Sequence, residues 1–99
     1  LEAYQTRHQW LLEAINGIDG FQAIPAQGTF HLFVHVQQAI ERLSLKDDLT
    51  FATQLLEKGH VATVPGSAFG SPGYLRLSFA TSLEALKEAI KRIQHVIED

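Results

Sequence analysis

The sequence contains no cysteine, which excludes disulfides, thiolate metal sites and cysteine nucleophiles together. It contains no methionine either and begins at Leu1, so the start reads as a cut from something longer. Charge is sparse: 8 Lys and Arg against 11 Asp and Glu give a formal net charge of −3, with the basic residues scattered. Nucleic-acid binders carry a clustered basic face, so this balance argues against one. No apolar run approaches the roughly 20 residues that span a bilayer, and no basic-then-apolar leader is visible. Neither a nucleic-acid nor a membrane partner is expected, and cytoplasm is the default expectation for location.

What is present suits one domain. The chain has 99 residues, of which 45% are hydrophobic and 19% charged, enough for one modest core and too short for two. Leu1, Tyr4, Leu11, Leu12 and Ile15 recur at helical spacing, and Gly17 and Gly20 follow as stops. Phe21–Ile24 reads as a short strand ended by Pro25, with a turn at Gly28. Thr29–Val36 reads as a second strand, with Phe30, Leu32, Val34 and Val36 on one face and His31, Phe33 and His35 on the other. Val36, Ala39, Ile40 and Leu43 suggest a short helix.

Ser44–Lys58 reads as the second main helix, with Ser44 and Asp47 as a capping box, Phe51, Ala52 and Leu55 as its buried stripe, and Gly59 as its stop. Val61–Val64 is a β-branched strand, and Pro65–Gly73 reads as a loop. Tyr74–Ala80 alternates: Leu75, Leu77 and Phe79 point one way, Tyr74, Arg76, Ser78 and Ala80 the other. Thr81 with Glu84 suggests a capping box for a last helix that buries Leu83, Leu86, Ile90, Ile93 and Ile97. The expected fold is α+β: a small, mainly antiparallel sheet with helices packed chiefly on one face. The strands flanking the Pro65–Gly73 loop are expected to pair antiparallel.

Arg76 is the only charge between His60 and Ser82, histidine aside, and it sits in mid-strand on the face without aliphatic partners. A planar guanidinium held on a strand is preorganised to grip a carboxylate through two parallel hydrogen bonds. The strand pattern alone leaves open a solvated arginine or a pair with a helix carboxylate.

Several motifs bear on that choice. Val61-Ala62-Thr63-Val64-Pro65-Gly66-Ser67-Ala68-Phe69-Gly70 resembles the Val-Ala-x-x-Pro-Gly-x-x-Phe-Gly segment of class I, aspartate aminotransferase-like, pyridoxal-phosphate-dependent aminotransferases of fold type I. Tyr74-Leu75-Arg76-Leu77-Ser78-Phe79-Ala80 resembles their hydrophobic-Arg-hydrophobic-Ser-(Phe/Tyr)-Ala strand, and Ser82 with the last helix follows in family order. Pro25-Ala26-Gln27-Gly28-Thr29-Phe30 is similar to Pro-x-x-Gly-(Ala/Thr)-Phe, and Tyr4-Gln5-Thr6-Arg7 to the start of Tyr-x-x-Arg-Arg-Asp. The resemblance covers nearly the whole chain. It implies the C-terminal small domain of such an enzyme, spanning residues 1–99, with the large cofactor-binding domain elsewhere. It implies that Arg76 binds the substrate α-carboxylate and that Phe30 borders the substrate site, although strand alternation puts Phe30 with Leu32 and Val34. It also implies amino-acid and 2-oxo-acid substrates, the chain's own large domain as a partner, and a homodimer of the full-length enzyme. Departures are His31 where tyrosine is usual, His8 and Gln9 in place of Arg-Asp, and a short stretch between Gly70 and Tyr74.

The cofactor needs a lysine to form its Schiff base. Lys46, Lys58 and Lys87 are read on carboxylate-rich helix faces, Lys91 lies beside Arg92, and none has the family's Ser-x-x-Lys setting. The glycine-rich stretch precedes a strand, whereas a phosphate cradle needs a helix N-terminus behind it. No cofactor-binding or catalytic residue is therefore assigned, and the chain alone is expected to be inactive. No metal site is expected: His31 and His35 share a face but lie roughly 13 Å apart at about 3.3 Å per residue, against metal bonds of about 2 Å. The charges of the last helix read as a solvated face with i, i+3 and i, i+4 pairs, and Trp10 as core. The other functional reading is a stand-alone regulatory domain that binds a small ligand on its sheet face.

Overall fold

The computed structural model describes residues 2–24, 31–78 and 82–98, with side chains of the first segment from Thr6 onward. Helix α1 (Glu2–Asn16) leads into strands β1 (Gln22–Ile24) and β2 (His31–His35). Helices α2 (Gln37–Arg42) and α3 (Asp48–Gly59) follow, then β3 (Val64–Pro65), a 3₁₀ turn over Gly66–Phe69, β4 (Tyr74–Ser78) and α4 (Leu83–Glu98). The strands form one antiparallel sheet in the order β1-β2-β4-β3. The strands flanking the 66–73 loop do pair antiparallel, Val64 with Arg76 and Pro65 with Leu75. Pro65 has no N–H to give a ladder, and its place on an edge strand avoids the loss.

One face of the sheet is apolar and covered. Ala23, Leu32, Val34, Leu75 and Leu77 are buried, alternating with exposed or half-buried neighbours. Against them pack Leu11 and Ile15 of α1, Phe51 and Leu55 of α3, and Leu86, Ile90 and Ile93 of α4. Each such side chain taken out of water contributes about 1.5–3 kcal/mol. Phe51 is fully buried and meets Phe21 edge to face with centroids 5.9 Å apart. Trp10 is half-buried at the margin of this core. In α4 the stripe is Leu86, Ile90, Ile93 and Val96, with Leu83 and Ile97 only partly covered.

The turns explain where the elements depart from expectation. Ser44 does not cap α3; it ends α2. It adopts φ +57°, its N–H bonds the Glu41 carbonyl, and the Leu45 N–H reaches back to Ile40. This is a Schellman closure that uses serine where glycine is usual. Helix α3 starts later, capped by Asp47, whose carboxylate accepts from the Thr50 N–H at 2.9 Å and hydroxyl at 2.8 Å. At its other end the left-handed residue is His60 (φ +56°), not Gly59. Gly59 is instead a crossing point, since a Cβ there would lie 3.0 Å from Val96 Cγ2 of α4. The Val61 N–H is taken by the Leu55 carbonyl, so β3 cannot begin at Val61 and pairs only from Val64. The Val36 N–H still bonds the Gly73 carbonyl at 2.8 Å, in continuation of the β2–β4 register, and the chain then turns into α2 with Val36 as its N-cap. The Ser82 hydroxyl accepts from the Ala85 N–H at the head of α4. The readings placed on Leu1, Tyr4, Pro25, Gly28, Phe79, Ala80 and Thr81 lie outside the described residues or side chains.

Candidate functional site

Among the described residues, no α-helix packs on the second face of the sheet. Alternation along β2 and β4 turns Phe33, His35, Tyr74 and Arg76 away from the core, and register sets them in rows. Ile24, Phe33, Arg76 and Val64 form one row across all four strands. Gln22, His35 and Tyr74 form the next, and His31 stands opposite Ser78 on the other side. Arg76 is thus the cation at the centre of an otherwise apolar and aromatic row.

The chain after β3 returns over this face. Phe69, the last residue of the 3₁₀ turn, meets Phe33 edge to face with centroids 5.4 Å apart. The Arg76 Cζ lies 5.9 Å from the centre of the same Phe69 ring, at the outer limit of a cation–π contact. His35 and Tyr74 make a second aromatic pair at 4.9 Å. Beside Arg76 a surface depression is lined by His31, Ala62, Thr63, Val64 and Ser78. The Thr63 hydroxyl oxygen is buried there with no hydrogen-bond partner among the described residues.

Arg76 is half-buried and, among the described residues, makes no hydrogen bond or ion pair. The ion pairs described are Arg42 with Asp19 and Arg92 with Glu88, both on the helical side. A guanidinium held by its strand neighbours, with an aromatic ring against it and its donors unused, can take a planar anion such as a carboxylate. Phe30, the other substrate-site residue read from sequence, lies outside the described residues.

The 66–73 loop is built tightly. A Cβ at Gly66 would collide with the Ser71 carbonyl oxygen, and the Ser71 N–H bonds back to the Gly66 carbonyl at 2.8 Å. Gly73 adopts φ +87°, a conformation open to glycine. The sequence reading missed the residue that fastens this loop. Asp48 is 1% exposed, and its carboxylate accepts from Ser67 and Gly73. The signal was present: Asp48 lies on the stripe of Phe51, Ala52 and Leu55, three, four and seven residues on, so its carboxylate had to be buried.

The four lysines, Lys46, Lys58, Lys87 and Lys91, are exposed, and none stands on a strand. Among the described residues no cluster of three or more His, Asp or Glu could hold a metal ion. Nor is any described helix long and apolar enough to cross a membrane.

Comparison with known proteins gives a consistent answer. The model of the family "Aminotransferase class I and II" matches residues 1–93. The chain is 47% identical over 103 residues to the aspartate/prephenate aminotransferase of Nitrosomonas europaea, covering 98% of this chain and 26% of that protein. It is 42% identical over 97 residues to the aspartate aminotransferase of Bacillus subtilis, covering 98% and 25%. Among solved structures, the aspartate aminotransferase of Rhizobium meliloti superposes with a TM-score of 0.87 at 34% identity, over 98% of this chain and 26% of that one. The alanine aminotransferase of Pyrococcus furiosus superposes with a TM-score of 0.89 at 27% identity, over 98% and 24%. The chain therefore spans about a quarter of the length of these relatives.

Proposed function

Since the chain belongs to the class I and II aminotransferases, we propose that it is the C-terminal small domain of a pyridoxal-phosphate-dependent enzyme, in which Arg76 grips the substrate α-carboxylate. The observation that carries this reading is the setting of Arg76: mid-strand on the uncovered face, against Phe69, with no carboxylate partner among the described residues. The remaining length of the relatives supplies the body that this face meets, and the working enzyme is a homodimer. Aspartate is the first amino donor to test, because relatives named for aspartate recur in the comparisons.

The family's cofactor, pyridoxal phosphate, carries the amino group between an amino acid and a 2-oxo acid. The residues of this chain do not fit it, because its Schiff base needs a lysine at the site and no lysine here stands on the sheet. Cofactor chemistry thus belongs to the large domain. The contribution of this chain is orientation. A fork of two charge-assisted hydrogen bonds from Arg76 fixes the carboxylate and so points the amino group in one direction.

The test is Arg76→Ala in the full-length protein, assayed with L-aspartate and 2-oxoglutarate. Each charge-assisted bond is worth roughly 1.5–3 kcal/mol, so kcat/KM should fall by at least about thirtyfold. Cofactor content, read from the visible absorbance, should stay near that of the parent. An unchanged kcat/KM would sink the reading.

A further inference from the structure

The loop that carries Phe69 against the arginine is fastened by a carboxylate with no other evident task. Asp48, in the first turn of α3, is 1% exposed. Three donors converge on its Oδ2: the Gly73 N–H at 2.8 Å, the Ser67 hydroxyl at 3.0 Å and the Ser67 N–H at 3.2 Å. Ser67 and Gly73 lie at the two ends of the loop, and Phe69 lies between them. Its Oδ1 is buried with no partner among the described residues. Packing alone would be better served by an apolar residue on this stripe, since a buried charge is costly unless bonded.

We propose that Asp48 is a positioning residue for the substrate carboxylate: by clamping both ends of the 66–73 loop it holds Phe69 on Phe33 and against the Arg76 guanidinium. The proposal rests on the reading of Arg76 given above. Arginine is flexible, and binding has to remove that freedom. A ring fixed at 5.9 Å restricts the guanidinium before the substrate arrives. With the clamp gone, Gly73 and Ser67 lose a common acceptor, the loop relaxes, and Arg76 must be ordered by the ligand.

The experiment compares Asp48→Ala, Phe69→Ala, Arg76→Ala and their pairs in the full-length protein, with L-aspartate as the varied probe. The kcat is expressed per folded, cofactor-loaded enzyme, and KM does not depend on that concentration. Asp48→Ala and Phe69→Ala should each raise KM about three- to tenfold, the range expected for loss of a cation–π contact, with kcat within about twofold. The Asp48→Ala/Phe69→Ala pair should be no worse than the larger single change, and Asp48→Ala should add nothing to Arg76→Ala. A purely structural Asp48 would lower the folded fraction and leave KM at the parent value, which overturns the proposal, as does full additivity with Arg76→Ala. Should Asp48→Ala not fold, Asp48→Asn takes its place. It keeps one acceptor for the three donors and puts an amide where Oδ1 is unpartnered, so KM should rise about two- to threefold, and an unmoved KM overturns the idea. An Arg76→Ala protein with unchanged kcat/KM removes the carboxylate reading and the role of Asp48 together. A raised KM for Arg76→Ala beside a parental KM for the Asp48 variant removes the role of Asp48 alone.

Discussion

The two faces of the sheet are made by the same strands, residue by residue in alternation, yet they have opposite character. On the helical side Leu32, Val34, Leu75 and Leu77 are buried, with every aliphatic partner supplied by this chain. On the other side Phe33, Tyr74, Arg76 and Val64 are only half-buried, and one short loop leans on them. The difference teaches that core and outward face are separated here at a spacing of one residue. Leu75 and Leu77 belong to the core, while Arg76 between them belongs to the outward face.

The largest effect expected is on the helical side. Phe51→Ala should lower stability by about 3–5 kcal/mol, because it removes a fully buried ring and leaves a cavity between α3 and Phe21. Urea unfolding of the full-length protein measures it, and a loss under about 1 kcal/mol would break the distinction between the faces. A smaller change is expected on the open side, and in a different quantity. Arg76→Lys keeps the charge but not the fork, so kcat/KM should stay roughly tenfold below the parent while the urea midpoint does not move. A shifted midpoint with parental activity would reverse the assignment of the two faces.

The smallest effect concerns neither face but the entry to α3. The hydrogen bonds from the Thr50 backbone and hydroxyl hold the Asp47 carboxyl below its ordinary value. A pKa lower in the folded than in the unfolded chain gives stability that is fully present above the unfolded value. That stability is lost as pH falls through the folded value. The stability gap between the parent and Asp47→Asn, which caps without titrating, should therefore narrow below about pH 4. A gap constant from neutral pH to acid would remove this contribution.

How much was legible in the sequence depended on whether the deciding contact was local. Alternation in β4 put Arg76 opposite Leu75 and Leu77, and the structure agrees, because period two is a property of the strand itself. The stripe of α3 was readable for the same reason, and that of α4 at Leu86, Ile90 and Ile93, while Val96 is buried where Leu83 and Ile97 were expected to be. Ser44 was misread because its role depends on α2 ending at Leu43, and a serine looks the same before a helix as after one. Gly59 and His60 exchanged roles because the close approach of Val96, 37 residues on, claims the position that lacks a Cβ. Asp48 was missed although its spacing placed it on the buried stripe. Its partners are 19 and 25 residues away, and no local pattern announces them. Phe69 was part of a quoted motif, but its place against Phe33 and Arg76 needed the loop's path.

The shape of the β3 edge has a further consequence for how the molecule behaves in company. Exposed sheet edges are templates on which other chains can add strands and begin to aggregate. Here the edge strand is two residues long, one of them Pro65, and the chain turns at once into the tight 3₁₀ segment. A neighbouring chain finds almost no ladder to extend, so edge-to-edge fibre growth has little to start on at β3.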